Sequence, residues 1–196
     1  LNSPLIPLPP AAPRTQSRFG RWFGLTILRL GGWRMDGEFP DLPRAVLIAA
    51  PHSSGWDAFW GLAAKLALGL RIEFMAKQEL FWWPLGALLR AIGGFPVNRR
   101  SAEGVVEQLT ARMQRQPQLW LLLAPEGTRR RVQQWKTGFW RIATSAEVPV
   151  ICAYFHYPTR TIGIGECMRM SGDLDADIAR IRAFYRPWRG KHRGIE

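Results

Sequence analysis

Short apolar runs alternate with amphipathic stretches along most of the chain. Residues 45–50 (Ala-Val-Leu-Ile-Ala-Ala) are uninterrupted by polar positions and end at a proline, the pattern of a strand buried on both faces. Residues 57–70 follow, with Phe59, Leu62, Leu66 and Leu70 at helical spacing. A second strand is predicted at 72–76. A helix over 81–92, regular after Trp82, is stopped by Gly93-Gly94, and a short strand follows at 95–97. Val105, Val106, Leu109 and Met113 mark the inward face of a helix over 102–115. Further buried strands are predicted at 118–124 and 148–155, and a last helix at 176–185. Strands alternating with helices predict an α/β domain.

The first segment breaks this pattern. Residues 1–17 carry five prolines within the first thirteen positions and predict a disordered lead-in. In 18–36, Phe19, Trp22, Phe23, Ile27, Leu30 and Trp33 recur at spacings of three and four, flanked by Arg18, Arg21, Arg29 and Arg34. That is the pattern of an amphipathic helix lying in a membrane interface. It equally describes a helix packed on its own domain, its arginines snorkelling outward. Residues 37–196 then form a single domain. No run of 18 uncharged apolar residues is present; the nearest, 80–97, holds Pro84, Arg90 and Pro96 and reads as a buried or interfacial hairpin.

Composition narrows the partners. The 196 residues include 27 Lys+Arg against 15 Asp+Glu, a net charge of +12, yet 47% are hydrophobic and ten are Trp. The apolar content excludes disorder for most of the chain. Basic charge with abundant Trp points to an anionic membrane surface ahead of nucleic acid. Arg129, Arg130 and Arg131, with Arg186, Arg189, Lys191 and Arg193, suit a polyanion backbone, but no nucleic-acid-binding module is recognisable and no nucleic-acid partner is expected. Cys152 and Cys167 give neither a disulfide framework nor metal spacing, and the first residues lack the build of a secretory signal. A reduced, cytoplasmic location is expected.

The chemistry gathers where strands end. The strand 45–50 runs into Pro51-His52-Ser53-Ser54-Gly55-Trp56-Asp57, placing a histidine at the exit and a carboxylate five residues on. One imidazole nitrogen takes a proton while a carboxylate orients the other. The alternative is a loop histidine beside a helix-capping aspartate. A second exit carries Pro125-Glu126-Gly127-Thr128-Arg129, where glycine permits a tight turn and arginine offers a fork for phosphate. A third, from Gly94 to Arg100, also ends on guanidinium groups. One base and two phosphate anchors suit an acceptor bearing both a hydroxyl and a phosphate.

These motifs, over residues 33–157, resemble the glycerolipid acyltransferase family, typified by the bacterial 1-acylglycerol-3-phosphate acyltransferases. His52 and Asp57 match its His-x4-Asp motif. Gly94-Phe95-Pro96-Val97-Asn98-Arg99 resembles its second motif, with Asn98 where Asp is usual. Pro125, Glu126, Gly127, Thr128 and Arg129 match its third in full, followed by Arg130 in place of the customary Ser. Lys136-Thr137-Gly138 is similar to the downstream Lys-x-Gly. Val148-Pro149-Val150-Ile151 is similar to the fourth motif, with Cys152 replacing its final Pro, and Lys77-Gln78-Glu79-Leu80 resembles the segment between the first two.

The resemblance implies a mixed sheet flanked by helices, with an N-terminal membrane-associating helix and a peripheral place on the cytoplasmic face of the cell membrane. It implies acyl transfer from acyl-CoA or acyl-carrier protein to the hydroxyl of a lysophospholipid, most simply 1-acylglycerol-3-phosphate. Another lysolipid, such as a lyso-ornithine lipid, is the alternative acceptor. His52 is the implied base and Asp57 its orienting partner. Arg99, Glu126, Gly127, Thr128, Arg129 and Lys136 are the implied substrate-binding residues. No metal or other cofactor is implied. Direct transfer is expected, since the sequence has no Gly-x-Ser-x-Gly elbow; Ser53 or Ser54 as a nucleophile is the minor alternative. Phe81, Trp82, Trp83, Leu85 and Leu88 are candidates for an apolar slot for the acyl chain or for plain core. His156 and His192 are read as incidental.

Overall fold

The computed structural model describes residues 5–97, 102–128 and 130–195. Among the described residues, seven strands form one sheet: β1 (Arg34–Gly37), β2 (Arg44–Ala50), β3 (Ile72–Lys77), β4 (Gly94–Val97), β5 (Leu119–Leu123), β6 (Val150–His156) and β7 (Thr161–Met168). Their spatial order is β1-β7-β6-β2-β5-β3-β4. β6, β2, β5, β3 and β4 run parallel, while β7 is antiparallel to β6 and carries β1 beside it. The sheet is therefore mixed, and the parallel strands all end at one edge, where a site is expected.

Six α-helices among the described residues cover the sheet: α1 (Arg18–Gly31), α2 (Gly55–Leu68), α3 (Leu85–Ala91), α4 (Ala102–Arg115), α5 (Gly138–Ser145) and α6 (Leu174–Tyr185). β2 shows why its run is apolar throughout. Val46, Ile48 and Ala50 face a core with Leu109 and Met113 of α4, Phe139 and Ile142 of α5, and Ile181 and Tyr185 of α6. Ala45 and Leu47 face the opposite side, among Phe39, Leu68 and Trp120. A strand buried on both faces has no position left for a polar residue.

α1 packs along α2 through its smallest residues. Gly20, Gly24 and Leu28 are its buried positions, against Ala63, Ala64 and Ala67 of α2. A Cβ on Gly24 would lie 2.5 Å from the Ala63 oxygen and the Ala67 nitrogen, so only glycine permits this approach. Phe19, Trp22, Phe23 and Leu30 point away and are exposed. One face of the helix thus packs on its own domain, and the opposite face carries the exposed aromatic residues. The helix ends at Gly31, capped by Gly32 (φ 67), five residues short of the expected end at 36, and Trp33 turns inward onto Trp60 and Tyr157.

Residues 5–17 depart from the expected disordered lead-in. The Ala11 amide donates to Asp41 Oδ1 at 2.7 Å, the Thr15 amide to the Gly69 oxygen at 2.7 Å, and the Arg71 amide to the Pro13 oxygen at 2.9 Å. Ala12 is buried, and Leu5, Ile6 and Leu8 pack against the same core as Leu47. The prolines stiffen an extended strip that lies on the domain, and its apolar residues supply the contact.

Three elements carried too little periodicity to be predicted: β1, α5 and β7. In β7, Gly163 and Gly165 make room for aromatic rings: a Cβ would fall 1.9 Å from Tyr154 at the first and 2.0 Å from Phe184 at the second. Among the described residues, no helix is long and apolar enough to cross a membrane.

Replacing Gly24 by Leu should force α1 off α2 and cost about 2 kcal/mol or more in denaturant unfolding. Leu30→Ser, on the exposed face, should stay within about 0.5 kcal/mol of the parent. Equal effects would contradict the packing described.

Candidate active site

β2 delivers His52 two residues past its last residue, and Ser54 then starts α2 as its N-cap. Asp57 sits in the first turn as the partner in a capping box, its carboxylate reaching back to the cap. Oδ2 accepts the amides of Ser53 and Ser54, each at 2.8 Å. Oδ1 accepts the Tyr157 hydroxyl at 2.7 Å. Nδ1 of His52 lies 3.4 Å from Oδ2; the His52 side chain is 22% exposed and that of Asp57 is fully buried.

The electrostatics follow from these contacts. Burial alone would raise the Asp57 carboxyl, but hydrogen bonds from His52, Tyr157 and the Ser54 amide outweigh it and hold the group below its ordinary value. The Tyr157 phenol is pushed far up by burial and by its bond to Asp57, so it stays a donor. Asp57 is thus a fixed anion behind Nδ1, leaving Nε2 as the nitrogen available to take a proton. The carboxylate that caps α2 is thus the same one that faces His52.

The third motif lies beside this pair, after β5. Gly127 adopts φ +64 in a turn closed by its amide on the Ala124 oxygen at 3.0 Å. The Lys136 side chain lies over it: a Cβ at Gly127 would sit 2.7 Å from Lys136 Cε and 3.1 Å from Nζ. The glycine therefore admits the lysine as well as the turn. The Lys136 amide donates to the Pro125 oxygen at 2.8 Å, which fixes the lysine to the motif. Thr128 Oγ1 accepts the Arg130 amide at 3.3 Å and holds the loop locally. Arg99 and Arg129 lie outside the described residues.

Glu126 departs from its expected place against a substrate head group. Its side chain is fully buried beneath the loop. Oε1 accepts the His52 amide at 2.7 Å, and Oε2 pairs with Arg193. With both oxygens engaged by the protein, Glu126 is a link between the first and third motifs.

The two serines beside His52 accept backbone hydrogen bonds, and both cysteine thiols are pushed up. Ser54 Oγ accepts the Trp56 amide at 3.2 Å, and Ser53 Oγ accepts the His192 amide at 3.3 Å; both serines are buried. Burial pushes the Cys152 thiol up to about 12, and burial also raises Cys167. Among the described residues, no cluster of three or more His, Cys, Asp or Glu is placed to hold a metal.

The expected acyl slot is not an internal one. Trp82, Trp83 and Leu88 are exposed, and Phe81 is half-buried under Arg90, whose guanidinium carbon lies 5.2 Å from the ring centre. Tyr157 and Arg193 are the site residues that sequence reading misses. Tyr157 directly follows β6, so the rule that sites gather at strand exits pointed there. Arg193 stands in a basic stretch and gave no signal.

The acyltransferase family model matches residues 38–156, from before β2 to the end of β6. The chain belongs to the acyltransferase family. His52, Asp57, Glu126, Gly127 and Lys136 of this acyltransferase all lie within the matched span, whereas Tyr157 and Arg193 lie beyond it. Among solved structures, the crystal structure of the 1-acyl-sn-glycerophosphate (LPA) acyltransferase PlsC from Thermotoga maritima has the same fold. The match has a TM-score of 0.55 at 18% identity and covers 82% of this chain and 76% of that one. No curated protein sequence matches the chain significantly.

Tyr157→Phe removes a donor from Asp57 and should raise its carboxyl toward the ordinary range. A depressed carboxyl stabilises the fold above its unfolded value of about 3.9, and that stability is lost as pH falls through the lower folded value. The variant should be less stable by about 1.5–3 kcal/mol near neutral pH, with the deficit shrinking below about pH 4. Urea unfolding across that range checks this; a deficit independent of pH would contradict it.

Proposed function

We propose that the protein transfers a fatty acyl group from a thioester, acyl-CoA or acyl-carrier protein, to the hydroxyl of a lysophospholipid. The most direct acceptor is 1-acylglycerol-3-phosphate, giving phosphatidic acid. The observation that carries this reading is the buried, fully hydrogen-bonded Asp57 carboxylate behind a partly open His52 at the exits of parallel strands.

In this reading the acceptor hydroxyl loses its proton to Nε2 of His52 as its oxygen attacks the thioester carbonyl. Asp57 keeps Nδ1 protonated and stabilises the imidazolium that forms. Collapse of the tetrahedral oxyanion breaks the carbon–sulfur bond, and the departing thiolate takes the proton back from His52. Lys136, held over Gly127, supplies charge to the head-group phosphate, joined by Arg99 and Arg129 from the matched motifs. Glu126 serves from below by fixing the His52 backbone.

The exposed aromatic residues of α1 and α2 support docking on the membrane. Phe19, Trp22, Phe23 and Leu30 on α1 are exposed, and so are Trp56 and Phe59 in the first turns of α2, close to His52 in sequence. Aromatic side chains of this size each gain about 1.5–3 kcal/mol on leaving water, and the neighbouring Arg18, Arg21 and Arg29 favour anionic lipid. A peripheral place on the cytoplasmic face lets a thioester donor from the aqueous side meet a lipid acceptor. The acceptor and its head group thus arrive beside the base without leaving the interface.

Purified protein with labelled acyl thioester and a panel of lysolipids, including a lyso-ornithine lipid, identifies the acceptor by product mass. On the preferred reading 1-acylglycerol-3-phosphate is acylated fastest. His52→Ala should lower turnover by about 10²–10⁴-fold with binding to anionic vesicles unchanged. Trp22→Ser with Phe23→Ser should do the reverse, losing vesicle binding while retaining turnover on a short-chain soluble acceptor. Unchanged turnover in His52→Ala would sink the mechanism.

A further inference from the structure

We propose that Arg193 is a positioning residue for His52, acting through Glu126, within a strap of residues 188–194 that locks three strand exits together. The inference rests on the acyl-transfer reading for its kinetic consequence, but not for its geometry.

The backbone of His52 is gripped at both of its peptide groups. Its amide donates to Glu126 Oε1 at 2.7 Å. Its carbonyl accepts from Arg193 Nη2 at 3.4 Å. The same Arg193 nitrogen pairs with Glu126 Oε2 and donates to the Arg130 oxygen at 2.9 Å. One guanidinium therefore reaches the β2 exit at His52 and the β5 exit at Glu126 and Arg130. Glu126 is a buried carboxylate, and burying a charge is costly without a paired counter-charge. Arg193 supplies it and holds Glu126 beneath the His52 amide. With both flanking peptides fixed, the imidazole has only its own two torsions left to align with Asp57.

The rest of the strap holds Arg193 in place. The ring of Trp188 stacks on Tyr154 at 3.7 Å. The Arg189 amide donates to His156 Nδ1 at 3.1 Å, and the Arg189 oxygen accepts the Tyr157 amide at 2.9 Å. His156 thus has a structural use that its sequence context did not reveal. The Gly190 amide closes a turn on the Arg193 oxygen at 2.9 Å, and the His192 amide reaches Ser53 Oγ at 3.3 Å. Gly190 sits so close to the catalytic loop that a Cβ there would fall 2.5 Å from Ser53 Oγ. The strap therefore ties the β6 exit, next to the Asp57 donor Tyr157, to the loop that carries His52.

Two readouts separate positioning from general folding support. Arg193→Met keeps the length of the side chain and removes its charge and donors. It should lower kcat by about 10–100-fold, with KM for donor and acceptor changing less than about 3-fold, because misplacement of the base affects the chemical step. Arg193→Lys, which keeps the charge without the planar fork, should recover part of the loss. Glu126→Gln combined with Arg193→Met should be no worse than Arg193→Met alone, since both act through one link. Independently of activity, hydrogen exchange at the His52 amide should accelerate by about 10-fold or more in Arg193→Met, with β5 and α6 protection unchanged. Unaltered kcat, additive losses in the double variant, or unchanged exchange at His52 would overturn the proposal. Should Arg193→Met not fold, the kcat, KM and amide-exchange comparisons are made on Arg193→Lys, with the same overturning results. A parent protein that acylates no acceptor would refute the proposed function, while amide exchange would still decide whether Arg193 holds His52.

Discussion

A carboxylate sealed from water must be paid for by hydrogen bonds, and Asp57 collects them from every side. Two come from the amides of Ser53 and Ser54, the residues just before and at the N-cap of α2. One comes from Tyr157, at the end of a strand a hundred residues on. His52 lies against what remains. Remove the helix start and two donors vanish; remove β6 and the third vanishes. The orientation of His52 thus depends on the packing of β2, α2 and β6 against one another.

That dependence explains features that look decorative in isolation. The parallel strands bring their exits to one edge, so residues from β2, β5 and β6 can meet. The glycines of α1 and the alanines of α2 let two helices lie close on that sheet, which holds α2 and its first turn in place. The same pairing leaves the aromatic residues of α1 outside, with Phe19, Trp22 and Phe23 toward the far end of α2. The placing of Asp57 and the outward apolar face therefore both rest on the α1–α2 pair. The basic excess is divided as well: some of it counters a buried carboxylate, as Arg193 does for Glu126, and some faces outward on α1.

Much of this was legible in the residue pattern, for reasons that can be named. The central strands were readable because they are apolar on both faces, and α4 because its inward face keeps helical spacing. His52, Asp57 and Gly127 announce themselves by type and spacing close to strand exits, whereas Lys136 was legible only through the resemblance of Lys136-Thr137-Gly138 to a family motif. β7 was not readable, because its glycines serve the rings of Tyr154 and Phe184, partners that only the folded chain brings near. Residues 5–17 misled because proline marks both disorder and a stiff strip laid on a surface. Glu126 misled because residue type alone cannot tell a carboxylate facing ligand from one buried beneath it. Arg193 was invisible among other arginines until Glu126 was seen to need a counter-charge.

The central claim is that Asp57 fixes His52 with a proton on Nδ1 and a bare Nε2. The most direct test is the nitrogen resonances of the His52 ring, read by long-range proton–nitrogen correlation at a pH where the imidazole is neutral. The account predicts a protonated Nδ1 and an unprotonated Nε2 in the parent protein, with that preference lost in Asp57→Asn. A proton resident on Nε2 in the parent, or a tautomer indifferent to the loss of the Asp57 charge, would contradict it.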